Sequence, residues 1–597
     1  MRYVFFPVPI FSNSSGRRFA LLPLLAALAG VPTPVRAQGI DAPGPEQLAA
    51  QRAAYEAVAT KTIVDLQPFR AEQRLTLADG TELMLASLSP AINSWYLLEI
   101  KAPGARRSNW YHLENIDTRG TRLALEPAEI PTLRLAHADG NSTCALVADT
   151  GSVLEDARKV GLPYAPLCNG QIYLRNRVDG SRTSRERTAE FLRDNVWFGD
   201  SLVNLVKDTF YQDAYAETGT TLGITAVGSV VEALGQAALV DYPVISTSIG
   251  MALEGAPEGG MAQGQWYAMA GNTGVYASVV QPGKISREIL DRPNETNWLD
   301  DVERWATAYL VAFDLTDFEV GYEVGTDHPT LNWSPRPSGS GRNYSIPGPD
   351  GVASSTPLVT LGMVSPSQAH RVAATFTGGY KREHGAFRMG DYAFSYNGHH
   401  YGFVVDGVVL SKLVPDLSTL YVLDDGTIGM RTWAVEDEAL LPQIRFARQN
   451  GVPLIAPDPA TGDSVPGPLV RAWGPGNWSG SAEAQLRTLR AGACMKTVQG
   501  RQMLIYAYFS TATPSAMARV FQAYGCEYAM QLDMNSVEHT YAAIYTPKPE
   551  GGLEISHLVR AMRDIDARAN DGTRLPRFVA YSDNRDFFYL LRKVPPS

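Results

Sequence analysis

Short segments in which apolar and polar residues alternate recur over residues 62–177, and this period of two constrains the fold most. Two examples are RLTLADGTELMLASLS at 74–89 and SWYLLEIKA at 94–102. Asp-Gly and Pro-Gly pairs separate such segments about every ten residues, a spacing typical of an antiparallel sandwich or barrel. The sequence therefore predicts a β-rich domain that, with trailing helices, covers residues 62–215.

The rest of the chain divides where the composition changes. Helical spacing follows a Pro-rich start in 38–61, and a mixed α/β pattern covers 216–332. Within the mixed region, QWYAMAGNTGVYASVV at 265–280 predicts a hairpin across Asn272–Gly274. Residues 333–357 are dense in Pro, Gly and Ser with almost no apolar periodicity, which is typical of a linker. A domain with both helices and strands is expected over 358–597. The predicted fold class is α+β, with a β-rich N-terminal region.

The first 37 residues have the pattern of a secretory signal. Arg17 and Arg18 precede a 13-residue apolar stretch, FALLPLLAALAGV, and a small-x-small site ends at Ala37. This run is shorter than the roughly 20 apolar residues that a membrane span needs. We expect export to the periplasm or the exterior, with no membrane span after removal of the signal; an uncleaved anchor is the alternative.

Four cysteines in an exported chain favour disulfides, although four allow three pairings. Proximity in sequence favours Cys144 with Cys168 and Cys494 with Cys526, and each bridge would contribute about 3 kcal/mol in the chain-entropy model. Four reduced, buried cysteines are the alternative. No two cysteines form a C-x-x-C motif, which argues against thiol redox chemistry and against a cysteine zinc site.

Charge and motif content exclude several classes of function. The formal net charge of −10 argues against nucleic-acid binding, which depends on a basic surface. The chain lacks G-x-S-x-G, H-E-x-x-H and Walker motifs, and its nine histidines are scattered apart from His399-His400. No cofactor is predicted. Clusters of Asp and Asn are compatible with an oxygen-coordinated divalent cation such as Ca²⁺.

Polar residues of unusual character are concentrated in the C-terminal domain. In ATFTGGYKREHG at 374–385, a strand leads into Gly378-Gly379, a corner that lets the backbone approach a ligand closely. Lys381 and His384 follow, and they could supply positive charge or a proton. For both, a solvated surface charge is the default alternative.

Two further segments contain candidate arginines. In IRFARQNGVPLIAPD at 444–458, we expect Arg448, Gln449 and Asn450 at a turn before an apolar strand. In LRAGACMKTVQGRQMLIYAY at 489–508, a β-hairpin is predicted next to Arg490. A guanidinium fork matches phosphate oxygens in a bidentate way, although a surface ion pair would explain Arg490 equally well.

The last segment, TPSAMARVFQAYGCEYAMQLDMNSVEHTY at 513–541, predicts a helix that feeds directly into a strand. Thr513 is the expected N-cap, Pro514 the first helical residue and Gly525 the stop. The strand ends in polar residues, and such positions commonly line a ligand crevice in α/β sheets. The candidates here are Asp533, Asn535 and Glu538; an Asx-turn that ends the strand is the structural alternative for the first two.

The order of these motifs over about residues 358–545 resembles that of the phosphodiester glycosidase family. That family includes enzymes that remove N-acetylglucosamine from a phosphodiester. The matching motifs are Gly378-Gly379-Tyr380, Gly402-Phe403 with Asp406-Gly407, Arg448-Gln449-Asn450, Arg490-x-Gly492, and a helix that ends in Gly525-Cys526 before Ala529-Met530-x-Leu532-Asp533. Two positions depart from the family pattern: Thr377 replaces an asparagine, and Met534-Asn535 replaces a glycine-rich loop.

The resemblance implies an exported hydrolase that cleaves a sugar phosphodiester or a related glycosidic linkage in envelope or exopolysaccharide material. Asp533, Arg490, Asn535 and His384 are then the expected catalytic residues. The expected substrate-binding residues are Gly378, Gly379, Lys381, Arg448, Asn450 and Glu538. The alternatives are a carbohydrate-binding protein on the same fold without catalysis, and a glycosidase that acts on phosphate-free polysaccharide.

Overall fold

The computed structural model describes residues 71–147, 151–181, 213–224, 234–326, 360–379, 402–472 and 486–594, apart from single positions within them, and isolated positions in 44–50 and 184–191. Strands far outnumber helices in these ranges, which confirms the predicted β-rich α+β class. The expected signal, most of the helix at 38–61 and the stretch 333–357 lie outside the described residues. No helix in the described ranges is long and apolar enough to cross a membrane.

The N-terminal β region consists of two antiparallel sheets and one helix. Its six-stranded sheet has the order β1-β2-β3-β4-β9-β8, and its three-stranded sheet has the order β5-β6-β7. The bounds are β1 Ala71–Thr76, β2 Glu82–Ser87, β3 Trp95–Lys101, β4 Asn109–Asn115, β5 Arg122–Leu125, β6 Thr132–His137, β7 Gly140–Ala145, helix α1 Val153–Lys159, β8 Tyr164–Leu167, a 3₁₀ turn Cys168–Gly170 and β9 Ile172–Arg175.

Alternation along β2 and β3 gives the six-stranded sheet two buried faces. Leu83, Leu85, Tyr96 and Leu98 pack in a core shared with β5, β6 and α1. Their sequence neighbours Met84, Ala86, Trp95 and Leu97 pack in the main core, together with residues from the C-terminal half. Because successive strand residues point to opposite faces, one sheet joins both cores.

The middle of the chain supplies strands to sheets that the C-terminal half completes. These elements are β10 Val244–Ser246, β11 Ile249–Gly250, β12 Gly260–Ala262, β13 Tyr267–Ala268, β14 Val275–Val280, a 3₁₀ turn Pro282–Lys284, α2 Arg287–Leu290, α3 Asp301–Trp305, β15 Ala308–Asp314 and β16 Phe318–Glu323. The predicted hairpin across Asn272–Gly274 is confirmed, since β13 pairs with β14 in antiparallel register.

The C-terminal half completes three larger sheets. Its elements are a 3₁₀ turn Ala369–Arg371, β17 Val372–Thr377, β18 Phe403–Val405, β19 Val408–Ser411, β20 Ser418–Leu423, β21 Ile428–Thr432, a 3₁₀ helix Val435–Gln443, β22 Ile444–Gln449, β23 Ile455–Pro457, β24 Ser464–Pro466, β25 Thr488–Val498, β26 Arg501–Ala512, α4 Pro514–Ala523, β27 Tyr528–Met534, β28 Ala542–Pro547, β29 Leu553–Val559, a 3₁₀ helix Arg560–Ile565, β30 Ala567–Arg568, β31 Arg574–Leu575 and β32 Phe587–Arg592.

The sheet orders show how the two halves combine. An eight-stranded sheet has the order β13-β14-β15-β26-β25-β27-β23-β24, and a six-stranded sheet has the order β11-β29-β28-β17-β32-β16. A five-stranded sheet has the order β19-β18-β22-β20-β21, and β10-β12 and β30-β31 form small pairs. Strands from both sides of 333–357 therefore share two sheets, and no sheet boundary falls at that stretch.

Local signals in the last predicted segment fold as expected. The Thr513 side chain accepts a hydrogen bond from the Ala516 N–H, Pro514 opens α4, and Gly525 adopts φ +69° just after it. Helix α4 is buried almost throughout and packs against one face of the eight-stranded sheet. It delivers the chain directly into β27.

Both predicted disulfides are present. Cys144 bonds to Cys168, and Cys494 bonds to Cys526. The second bridge joins β25 to Cys526, two residues before β27, so it ties the strand that contains Arg490 to the strand that contains Asp533. Two disulfides fit the expected export.

One local prediction is wrong. Arg448 and Gln449 do not lie at a turn: they are the last two residues of β22 and are fully buried, and only Asn450 follows the strand. The run of Arg, Gln and Asn suggests a turn on polarity alone. The structure places it inside because strands β18 and β20 pair with β22 on both sides.

Candidate functional site

Asp533 reaches the interior through an irregularity in β27. Arg490 pairs with Met534 and Gly492 with Gln531, so two residues of β27, Leu532 and Asp533, lie opposite one residue of β25. Such a bulge re-aims the side chains around it. Accordingly, Gln531 and Met534 both contact the Arg490 side chain, although strict alternation would place them on opposite faces. Asp533 is 4% exposed at this point.

The Asp533 carboxylate is held on both oxygens. Its Oδ1 accepts a hydrogen bond from the backbone N–H of Met534 at 2.8 Å, and its Oδ2 accepts one from Nη1 of Arg585 at 2.7 Å. Nη2 of Arg585 lies 2.7 Å from Nε2 of His539, whose Nδ1 lies 2.9 Å from the Met534 carbonyl oxygen. A carbonyl can only accept, so Nδ1 has the proton and Nε2 accepts from the arginine, which makes His539 a neutral imidazole.

Arg585 is itself positioned by the segment 577–586. The Arg577 guanidinium forms two hydrogen bonds to Asp583, at 2.8 Å and 3.0 Å, and it also donates to the Glu538 carbonyl. The Asp583 carboxylate accepts the backbone N–H of Arg585 at 3.0 Å. Burial lowers the pKa of Arg577, but the nearby carboxylate of Asp583 raises it by more. Arg577 therefore stays charged.

The glycine corner closes against this cluster from β17. A Cβ on Gly378 would lie 2.4 Å from Oδ2 of Asp586, and a Cβ on Gly379 would lie 2.7 Å from Nη2 of Arg448 and 3.0 Å from the Asp533 nitrogen. Gly379 also adopts φ +121°, a conformation that side chains disfavour. Both glycines are therefore required where the backbone meets Arg448 and Asp533.

A second buried ion pair lies beside the corner. Nε of Arg448 donates to Oδ2 of Asp586 at 3.1 Å, and the Tyr322 hydroxyl donates to the same oxygen at 3.0 Å. Arg448 and Asp586 are both fully buried. Two buried arginines therefore belong to this cluster: Arg448 lies against Gly379, and Arg585 binds the Asp533 carboxylate.

Asn450 and Thr377 connect the corner to the neighbouring strands. The Asn450 amide donates to the carbonyls of Gln531 and Leu532 at 2.6 Å and 3.2 Å, and its Oδ1 is buried without a hydrogen-bond partner among the described residues. The Thr377 hydroxyl donates a hydrogen bond to the His539 carbonyl at 2.6 Å. This bond joins β17 to the loop that follows β27.

Arg490 lies on the neighbouring strand and is fully buried. Its guanidinium donates to the backbone carbonyls of Ala512 and Leu486, both at 2.8 Å, and to Oε1 of Gln531 at 2.8 Å. Burial away from water lowers its pKa to about 9. These three bonds hold the start of β25 against the end of β26 and the middle of β27.

The remaining predicted residues divide into two groups. Asn535 adopts φ +80° directly after β27, and its side-chain oxygen accepts a hydrogen bond from the Thr488 hydroxyl. Glu538 lies in the turn that follows, and its backbone carbonyl accepts a hydrogen bond from Arg577. Both therefore belong to the loop that ends the strand. Lys381 and His384 lie outside the described residues.

Sequence reasoning missed Arg585, Asp586 and Arg577 altogether, and it did not assign His539 to the site. A signal was present for two of them. The run Asp583-Asn584-Arg585-Asp586 stands directly before the apolar strand FFYLLR, which mirrors the polar cluster at the end of β27. Charged residues next to a buried strand at both places would have suggested a pairing between them.

The cluster has no obvious metal-binding arrangement. Within the described ranges, no group of three or more His, Cys, Asp or Glu side chains is placed to hold a metal ion. The carboxylates of the site face arginines instead: Asp533 faces Arg585, and Asp586 faces Arg448. Ca²⁺ binding therefore stays a sequence-based prediction.

Comparisons with known proteins add little to this geometry. No protein-family model and no curated protein matches the chain. Among solved structures, the zebrafish N-acetylglucosamine-1-phosphodiester alpha-N-acetylglucosaminidase catalytic domain, auto-inhibited by its pro-peptide, has a TM-score of 0.27 and 11% identity over 54% of this chain and 85% of that chain. A hypothetical protein from Synechocystis has a TM-score of 0.19 and 9% identity over 88% of this chain and 97% of that chain. Neither likeness transfers a residue role.

Proposed function

We propose that this chain is a hydrolase that cleaves a sugar phosphodiester, or a related glycosidic linkage, in cell-envelope or exopolysaccharide material. One observation supports the proposal above the others. The Asp533 carboxylate, the Gly378-Gly379 corner and the arginines Arg448 and Arg585 come together from separate parts of the chain. Asp533, the corner and Arg448 belong to the motifs whose order along the chain resembles that of the phosphodiester glycosidases, and Arg585 lies outside those motifs.

The chemistry requires a carboxylate that stays ionised. A sugar that loses its leaving group develops positive charge at the anomeric carbon, and a nearby carboxylate stabilises that charge or directs water to it. Arg585 and the Met534 N–H each donate a hydrogen bond to one oxygen of Asp533, so the carboxylate is held in a fixed orientation. The neutral His539 holds the far side of Arg585 and so orients the carboxylate indirectly.

A phosphate leaving group needs positive charge rather than a strong acid. The geometry favours Arg448 over Arg490 for this role. Arg448 lies against the glycine corner next to the Asp533 nitrogen, whereas Arg490 donates to Ala512, Leu486 and Gln531. A guanidinium beside a side-chain-free backbone suits a phosphate that must approach closely.

The test is release of sugar from UDP-N-acetylglucosamine and from a synthetic aryl sugar phosphodiester, followed by chromatography. Asp533→Asn should lower the rate by about 100-fold or more, because the variant removes the charge and leaves the shape unchanged. Asp314→Asn is the matched control. Asp314 is equally buried and accepts a backbone N–H and an arginine in the same way, but it ends another strand of the same sheet.

A carbohydrate-binding protein without catalysis is the rival, and one observation favours it. Both Asp533 oxygens already accept hydrogen bonds from the chain itself. If the native chain releases no sugar from either diester, yet Asp533→Ala still binds glycan as tightly as the native chain, the rival is correct. If Asp314→Asn still releases sugar and Asp533→Asn does not, the binding-protein alternative is rejected.

A further inference from the structure

A groove lies where the N-terminal six-stranded sheet meets the segment that holds Arg585. We propose that this groove binds an additional, anionic part of the glycan whose linkage is cleaved at Asp533. The inference rests on the proposed function for the identity of the glycan. The groove itself is a separate feature of the fold, with a volume of about 900 Å³.

Residues from the N-terminal region and from the C-terminal half form the walls. The N-terminal residues come from the loop between α1 and β8 and from the stretch after β9, and include Leu162, Tyr164 and Arg177. The C-terminal residues are Met363 and Pro366, which precede β17, and Ala580, Tyr581 and Ser582, which precede β32. Strand β8 is an edge strand of its sheet, and its first residue, Tyr164, lies at the groove.

The walls are held in fixed positions. The Ser181 N–H donates to the Ser582 carbonyl at 3.0 Å. A Cβ on Gly180 would lie 2.1 Å from Oγ1 of Thr326 and 2.4 Å from the Asn584 nitrogen, so only glycine permits this approach. The Tyr164 ring packs edge-on against Tyr173, with centroids 5.9 Å apart. A groove with such walls needs little rearrangement to accept a ligand.

The lining indicates the chemistry of the ligand. Tyr581 and several apolar residues line the groove beside the buried Tyr164, and Arg177 is the one charged side chain among the described lining residues. Arg177 is exposed, as is Leu162 at the rim, and Tyr581 is partly exposed. The Tyr581 ring offers an aromatic surface with a polar edge, and a guanidinium binds carboxylate or phosphate oxygens. A sugar chain with acidic groups satisfies both features.

The groove and the candidate site share one segment of chain. Tyr581 and Ser582 line the groove, the next residue, Asp583, binds Arg577 and the Arg585 N–H, and Arg585 binds Asp533. A glycan seated in the groove would therefore contact the segment that positions the carboxylate. This continuity favours an extension of the substrate over an unrelated small molecule.

Calorimetric titration of the full chain provides the test, with three probes of equal length. They are a galacturonate oligosaccharide, a phosphomannan oligosaccharide and a neutral malto-oligosaccharide. The native chain should bind at least one acidic probe more tightly than the neutral one. Comparison of the two acidic probes distinguishes carboxylate from phosphate as the recognised group.

Two pairs of variants locate the binding. Leu162→Glu places a negative charge at the rim, and Val160→Glu makes the same change at an exposed apolar residue that does not line the groove. We expect about a tenfold loss of affinity from Leu162→Glu and from Arg177→Ala. Val160→Glu and the exposed-arginine control Arg107→Ala should leave the affinity within about twofold of the native value.

The outcomes separate the groove from the proposed reaction. Equal binding of acidic and neutral probes, no binding at all, or equal affinities for Leu162→Glu and Val160→Glu would each overturn the groove proposal. The proposed reaction would be unaffected if UDP-N-acetylglucosamine turnover still depended on Asp533. Conversely, the native chain could fail to release sugar while Leu162→Glu binds the acidic probe more weakly than Val160→Glu does. That result would reject the proposed reaction and support the groove proposal.

Discussion

Asp533 and Asp314 occupy matching places in the eight-stranded sheet. Each lies at the C-terminal end of a strand, β27 for Asp533 and β15 for Asp314, and each is almost fully buried. Each accepts a backbone N–H on Oδ1 and an arginine on Oδ2: Met534 and Arg585 for Asp533, Thr316 and Arg501 for Asp314. Local hydrogen bonding does not distinguish the two carboxylates.

Their surroundings differ. The Arg501 side chain is 41% exposed, so Asp314 is a strand-end turn with a solvated partner. The Arg585 side chain is 1% exposed and also binds His539, and the Gly379 backbone approaches Asp533 directly. A buried carboxylate is therefore a candidate for function when its partner is also buried and when another backbone segment comes close without a side chain.

The largest contrast should appear when each arginine is replaced by methionine. Arg585→Met leaves Asp533 charged in a buried place, which costs about 3–5 kcal/mol of unfolding free energy. Arg501→Met should cost about 1 kcal/mol or less, because water replaces a partly exposed partner. Urea denaturation of both variants measures the difference, and equal losses would mean that the two aspartates have equivalent environments.

A smaller effect should follow from Gly379→Ala. The added Cβ would lie 2.7 Å from Nη2 of Arg448 and next to the Asp533 nitrogen, so we expect a loss of about 1–3 kcal/mol from overpacking. Gly426→Ala is the control, since Gly426 adopts φ +86° but has no heavy atom within 4 Å of an added Cβ. Thermal unfolding of both variants would show whether Gly379→Ala loses more stability than the strain of a positive φ alone explains. If the two lose the same stability, the close approach at Gly379 is unimportant.

A pH-dependent effect concerns a further buried arginine, Arg175, which lies 3.4 Å from both Glu114 and Glu323. Burial raises the pKa of Glu114 to about 7 and that of Glu323 to about 8, against an ordinary value of 4.5. Between pH 4.5 and the raised pKa of each group, the two glutamates keep their protons in the folded chain but release them in the unfolded chain. The stabilising contribution is therefore complete below pH 4.5 and is lost as the pH rises to about 8, by up to about 1.4 kcal/mol per pH unit for each group.

Urea denaturation between pH 5 and pH 8, with about one measurement per pH unit, tests how steeply the free energy of unfolding falls with pH. In the Glu114→Gln, Glu323→Gln double variant the slope should flatten, because neither position titrates. Asp533 and Asp314 remain unchanged in that variant, so it also shows whether pH sensitivity belongs to the Arg175 cluster. An unchanged slope would place the sensitivity elsewhere.

Local signals predicted much of the fold correctly. The caps of α4, the hairpin at Asn272–Gly274 and both disulfides follow from residue types and short spacings. Such features depend on neighbours in sequence, and for that reason one sequence is enough to predict them. Arg448 was misplaced at a turn because its burial depends on the strands that pair on both sides of β22.

The candidate site was predicted only in part for the same reason. The sequence led to Asp533 and the Gly378-Gly379 corner, since each shows a local conflict between an apolar strand and its polar or glycine-rich end. It did not lead to Arg585, which is 52 residues from Asp533 along the chain and meets it across the core. It also favoured Arg490 for phosphate, while the fold engages that guanidinium with Ala512, Leu486 and Gln531.

The sequence by itself predicted the β-rich class and the helix that delivers β27, favoured the observed disulfide pairs, and led to Asp533 as a candidate carboxylate. These depend on periodicity, caps and spacing, which act over a few residues. Only the tertiary structure decided which arginine faces Asp533 and why Gly379 must lack a side chain. Both depend on strands that are distant in sequence, and burial makes the pairing of their charges obligatory.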